Sequence, residues 1–206
     1  MSKQSAAASG HSLWSKMPKA SAELFALTYG SLVTELIRDY EDVAEVNSQL
    51  DRIGHSIGIR CVDEFLAKAE VGGVHVPRCE GLRETADVVA RIGFRMFLGV
   101  NAEVGNVSPD GSGFSLFLHD NPLSIFVELP SAEEGALQAR AGGCDLSKVK
   151  YSNIYCGVIR GALEQVNLKV DCNFVRDILR GDDANEIRVV LKEVLADGAG
   201  DDYQEE

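Results

Sequence analysis

A chain of 206 residues is long enough for one domain with a buried core and leaves little for a second. Hydrophobic residues make up 45% and charged residues 25%, an ordinary globular balance that excludes a wholly disordered chain. The formal net charge of −12 excludes a general nucleic-acid binder, which needs a basic surface to displace counterions from phosphates. The charge is uneven. Residues 1–20 carry three lysines and no acid, whereas residues 197–206 carry five acids and no base. The ends therefore read as disordered tails, basic over 1–20 and acidic over 196–206, around a single domain at 21–195. Cysteines at 61, 79, 144, 156 and 172 are odd in number and scattered, and the N-terminus lacks an apolar signal core. Reduced thiols and a cytosolic setting are expected. No run approaches the ~20 apolar residues that span a bilayer.

In chain order, Ser21 reads as the N-cap of a helix with Phe25, Tyr29, Leu32, Val33, Leu36, Ile37 and Tyr40 on one face. A second helix carries Val46, Leu50, Ile53, Ile57, Cys61 and Phe65 as a stripe, with Gly54 and Gly58 one turn apart beside it. Glycine costs roughly 1 kcal/mol in a helix, so the pair predicts close backbone approach to another element. Residues 71–82 read as a loop, followed by a helix from Arg83 to Leu98 with one polar line at Arg83, Asp87, Arg91 and Arg95. After the turn cluster "NVSPDGSG", "FSLFL" (114–118) and "LSIFVEL" (123–129) read as two strands joined by the hairpin "HDNP". Residues 131–150 read as an exposed loop, with 140–148 the most insertion-like part. Residues 151–166 read as a further helix, and "LKVDCNFV" and "EIRVVLKEVL" as two more strands. This order is α+β, not the βαβ alternation of a nucleotide fold.

The chain offers little chemistry. It has no phosphate-binding glycine loop, no CxxC or HExxH, and only four scattered histidines. No metal site and no catalytic residues are expected. His75 and Cys79 straddle Pro77 and make a weak nucleophile or ligand pair. Glu84 and Asp87, flanked by Arg83 and Arg91, read as helix-surface ion pairs. Cys61 and Cys156 fall on apolar faces, Cys172 within a strand, and Cys144 in the exposed loop. Cys79 could be incidental, a ligand, a nucleophile or an attachment point, with Arg78 beside it expected to favour the thiolate. Ala86, Ala90 and Gly93 share one face of the helix that follows, leaving room that larger side chains would fill.

Five stretches, "ELFALTYGSLVTELIRDYED", "VNSQLDRIGHSIGIR", "RCEGLRETADVVARIGFRMFLG", "FSLFLHDNPLSIFVELP" and "YSNIYCGVIRGALEQVNLKVDCNFVRDILRGDDANEIRV", together cover nearly all of 22–191 in order. In this order they resemble the Bet3-type small core subunit family of the TRAPP (transport protein particle) complex, a vesicle tether. The resemblance implies several helices packed on one face of a twisted antiparallel four-stranded sheet, with an internal hydrophobic tunnel. It implies no catalysis by the subunit itself. Guanine-nucleotide exchange on a Rab GTPase would belong to the assembled complex, in ER-to-Golgi transport. Implied partners are other TRAPP small subunits in heterodimers and the chain itself in a homodimer. The implied location is cytoplasmic and peripheral at the cis-Golgi and endoplasmic reticulum, and no cofactor is implied beyond a covalent palmitate or similar acyl chain. That chain would sit on Cys79 and run along Ala86, Val89, Ala90 and Gly93. The residues themselves suggest two surfaces as well: Arg78, Arg83, Arg91 and Arg95 against anionic lipid, and Tyr29, Leu32, Leu36 and Ile37 as a dimer seam. A stand-alone acyl-binding module is the alternative reading of the same tunnel.

Overall fold

The computed structural model describes residues 3–76, 79 and 81–196, and it opens on a helix, α1 (Lys3–Lys16). Here the expected tail over 1–20 is corrected, because long-range packing orders a segment whose own sequence has little apolar pattern. Ala6 and Leu13 are buried against Ala69, Ile92 and Met96 in a small second core. A Cβ added at Gly10 would strike the Arg91 carbonyl oxygen, so small residues on α1 let its backbone lie close. The acidic residues from 197 onward lie outside the described residues.

The next helix, α2 (Ala22–Asp39), starts where the Ser21 hydroxyl accepts the Leu24 amide at 3.1 Å. It buries Ala26, Tyr29 and Val33, and the Tyr29 hydroxyl donates to the Tyr151 carbonyl. Asp42 caps α3 (Val43–Val71), accepting the Ala44 amide at 2.9 Å. The long cysteine helix is not uniform. It consists of α4 (Leu82–Val88), a π-turn over Val89–Gly93, and α5 (Phe94–Leu98), ended by Gly99 in the left-handed region at φ 72°.

Strand β1 (Ala102–Gly105) pairs antiparallel with β2 (Gly113–Leu118) across the expected turn. Residues 123–129 are not a strand, which corrects the predicted hairpin. Asn121 accepts the Leu123 amide and starts a short 3-10 turn, Leu123 is buried, and Ile125 and Phe126 point outward. The ladder position beside β2 is taken by β1, and strand-like composition without a paired neighbour does not make a strand. The expected loop over 131–150 contains α6 (Ala132–Arg140), begun by a reciprocal capping box between Ser131 and Glu134. Cys144 is half-buried instead of exposed, its thiol donating to the Glu41 carbonyl at 2.8 Å.

Helix α7 (Ile154–Glu164) is followed by β3 (Leu168–Arg176) and β4 (Asn185–Val194). The sheet is antiparallel throughout, in the order β1-β2-β4-β3. Its inner face supplies Phe114, Leu116, Leu118, Val170, Ile187 and Val189 to the main core, where they meet Val46, Leu50, Ile159 and Leu163 of the helices. The fold is α+β with helices on one face of a four-stranded antiparallel sheet.

Close helix approach is real at Gly54 and Gly58. A Cβ at Gly54 would strike the Ile154 carbonyl oxygen, and one at Gly58 the Val158 carbonyl oxygen. Gly157 and Gly161 on α7 answer them, facing the carbonyl oxygens of Asp51 and His55. Four glycines thus bring α3 and α7 into backbone contact. Two polar pairs flank the crossing, Arg160 with Asp51 and His55 with Glu164 at 2.5 Å.

Candidate functional site

Cys79 lies just before the first turn of α4, two residues ahead of its N-cap. That cap, Gly81, has an extended backbone and contributes no side-chain hydrogen bond. The polar side chain of this turn is Thr85, buried, whose hydroxyl donates to the Gly81 carbonyl at 2.8 Å. The same side chain is the hydrogen-bond partner of the Cys79 sulfur. Cys79 is half-buried, and its pKa is raised. Burial is the main cause, the Thr85 hydrogen bond opposes it, and the nearby Glu84 carboxylate adds to it. This corrects the expectation that Arg78 makes Cys79 a ready thiolate. Arg78 lies outside the described residues. Sequence reading missed Thr85, although a hydroxyl residue in the first turn after a cysteine is a readable signal for such a contact.

The four residues expected to line an acyl chain divide. Ala86 and Ala90 are fully buried in the main core and Val89 is packed against it. Among the described residues, an added Cβ at Gly93 would meet only the Val88 carbonyl oxygen, at 3.8 Å, and one at Gly81 nothing within 4 Å. The helix is therefore uncrowded at its half-buried Gly81 and Gly93 and packed in its middle. A thiol at the head of such a helix can be acylated and direct a chain along it. Among the described residues no cluster of three His, Cys, Asp or Glu could hold a metal ion, and His75 is exposed.

The arginine line does not share one environment. Arg83 is exposed, whereas Arg91 is half-buried and donates to Asp87 at 2.9 Å. Arg95 donates to the Gly99 carbonyl and lies over the Trp14 ring of α1. Only Arg83 of the described three stands open. The expected seam also divides: Tyr29 is committed to the chain's own core, Leu36 and Ile37 pack at its edge, and Leu32 is exposed. More apolar surface on α2 is exposed at Leu24, Phe25 and Leu27. Cys156 is fully buried, with its pKa pushed up to about 12 by burial, and Cys61 is half-buried. No helix among the described residues is long and apolar enough to cross a membrane.

Comparison with known proteins agrees with this arrangement. The family described as "Transport protein particle (TRAPP) component" matches residues 25–190. "Trafficking protein particle complex subunit 3" of Dictyostelium discoideum is 49% identical over 188 residues, covering 91% of this chain and 92% of that protein. "Transport protein particle subunit bet3" of Schizosaccharomyces pombe is 48% identical over 186 residues, covering 90% and 92%. Among solved structures, a trafficking protein particle complex subunit 3 from Naegleria fowleri, covalently bound to palmitic acid, is similar with a TM-score of 0.73. It is 45% identical and covers 85% of this chain and 97% of that one.

Proposed function

The chain belongs to the TRAPP component family, and from that membership we propose that it is a non-catalytic core subunit of the particle, acylated on Cys79. The observation that carries the proposal is a half-buried cysteine at the head of a helix left uncrowded at Gly93, in a chain similar to a palmitate-bound relative. Acylation is a thioester exchange: the acyl–sulfur bond of a donor thioester breaks, a new one forms to Cys79 Sγ, and the donor thiol leaves with the proton. Burial keeps the Cys79 thiol protonated near neutrality, so the activation resides in the donor and not in the cysteine. Once attached, the chain gains on the order of 0.8 kcal/mol for each CH₂ taken out of water. A chain held inside the subunit is withheld from the bilayer, so its effect is on stability.

The outer faces of α2 and α3 serve association with sister subunits and with a second copy, using Leu32, Leu36 and Ile37. Nucleotide exchange on a Rab GTPase belongs to the assembled particle. Arg78 and Arg83 contact anionic lipid at cis-Golgi and endoplasmic reticulum membranes, with Arg91 and Arg95 in support beneath α1.

Intact mass of the purified chain, before and after neutral hydroxylamine, tests the acyl site. A loss the size of one palmitoyl group, absent in Cys79→Ser, is expected; an unmodified mass in cells that supply the acyl donor overturns it. Cys79→Ser should also lower the melting temperature while membrane recruitment persists. Leu36→Glu or Ile37→Glu should lower the oligomeric mass in light scattering, and an unchanged mass would put the seam elsewhere.

A further inference from the structure

Strand β3 is an edge strand of nine residues, and among the described residues its ladder partner is β4 alone. Register shifts fall between Lys169 and Val170 and between Phe174 and Arg176, which leaves Val170–Phe174 as an unbulged stretch. An edge of this kind presents unpaired backbone donors and acceptors, and proteins ordinarily cover or disrupt one. Here a groove runs beside it. One wall is the first half of α3, with Ala44, Ser48 and Asp51; the other is β3, with Asp171, Cys172 and Asn173.

The groove follows from the glycine crossing. That crossing pins α7 to α3, and α7 packs under β3, so the strand edge stands across from α3 without filling the space between. The Arg160–Asp51 ion pair joins α7 to α3 along the groove. At one end Asn47 is fully used in holding the wall: its amide donates to the Lys148 carbonyl at 3.2 Å, its side-chain oxygen accepts the Lys150 amide at 2.7 Å, and its carbonyl accepts from Asn153 at 3.1 Å. The charges in the groove are otherwise matched, Asp51 by Arg160 and Asp171 by Lys192. Lys150 is exposed at that end with no carboxylate partner among the described residues. The site thus combines a strand edge engaged by α7 at Phe174, where the backbone pairs with the Cys156 thiol, polar walls and one unmatched cation.

We propose that this groove takes an extended segment of another subunit of the particle, which adds as a strand to Val170–Phe174 and brings an acidic side chain to Lys150. Backbone pairing supplies the affinity and Lys150 fixes direction and register. The proposal rests on the reading of the chain as a particle subunit but concerns a surface separate from Cys79 and from the outer face of α2.

Amide hydrogen exchange tests it, comparing the full chain alone with the particle reconstituted from it and its sister subunits. The outward-facing amides among 170–174 should exchange at least tenfold more slowly in the particle. Particles carrying Lys150→Glu or Ser48→Arg should lose that slowing while the chain remains incorporated through its helices. Equal exchange in the free and assembled chain overturns the proposal, as does slowing that survives both substitutions. A chain that never enters the particle overturns the subunit reading itself, and the groove proposal with it.

Discussion

At the α3–α7 crossing four glycines stand where a Cβ would strike backbone, whereas along the cysteine helix a Cβ at Gly93 meets, among the described residues, only a carbonyl oxygen at 3.8 Å. The same residue type serves opposite ends. In the first region the missing side chain lets two helices touch, and in the second it leaves the helix flank uncrowded. The first region is closed to any larger side chain and the second is not. A sequence shows glycine in both places; only the neighbours distinguish them.

The largest expected effect lies in the tight region. Gly54→Val drives two methyl groups into the α7 backbone and should cost about 3 kcal/mol. In a chain of this size that lowers Tm by roughly 6–12 °C, measurable by calorimetry. Alkaline pH should come next, acting on the same packed region. Cys156 keeps its proton up to about 12 when folded and gives it up near 8.5 when unfolded. Its contribution to stability is therefore whole below about 8.5 and is lost as pH rises from there toward 12. Burial raises Tyr29 and Tyr155 in the same direction. Tm should fall by roughly 3–5 °C per pH unit above 9.5, and the fall should be shallower in Cys156→Ala. The smallest effect belongs to Gly93, whose backbone is already helical, so alanine fits without strain. Gly93→Ala should raise Tm of the unacylated chain by roughly 1–3 °C, from a helix-propensity gain of about 0.5–1 kcal/mol. Gly93→Leu should instead lower the acylated fraction read by intact mass. A loss of Tm in Gly93→Ala comparable to that in Gly54→Val would end the contrast between the two regions.

The tight region was the more legible in the sequence. Gly54 and Gly58 pointed to close approach because each costs helix stability that a packing contact can offset, and Ser21 announced its helix through its side chain. The proposed acyl site was legible at Cys79 and in the small residues that follow; Thr85 was a missed signal, and the raised pKa was hidden because it depends on what the fold buries. Helix α1 was hidden because its packing partners, Ala69, Ile92 and Met96, lie some sixty to ninety residues away in the chain. Residues 123–129 misled because branched and aromatic composition reports a fit to a pleated surface, not the presence of a partner strand. Helix α6 was a missed local signal, since Ser131 and Glu134 spell a capping box in the sequence itself.

The π-turn at Val89–Gly93 has a consequence for spacing. Three sets of residues run through the cysteine helix in steps of four: Leu82, Ala86, Ala90, Phe94 and Leu98 toward the main core, Val88, Ile92 and Met96 toward the second, and Arg83, Asp87, Arg91 and Arg95 between solvent and α1. In an unbroken α-helix each such step slips about 40° around the axis, so a set five residues long would wander from one side toward the other. The wider turn takes up part of that slip and works as a phase corrector. One helix can then keep three appointments along its whole length. Winding the same residues as a regular α-helix would swing everything beyond the π-turn by about 100°, turning Met96 away from α1.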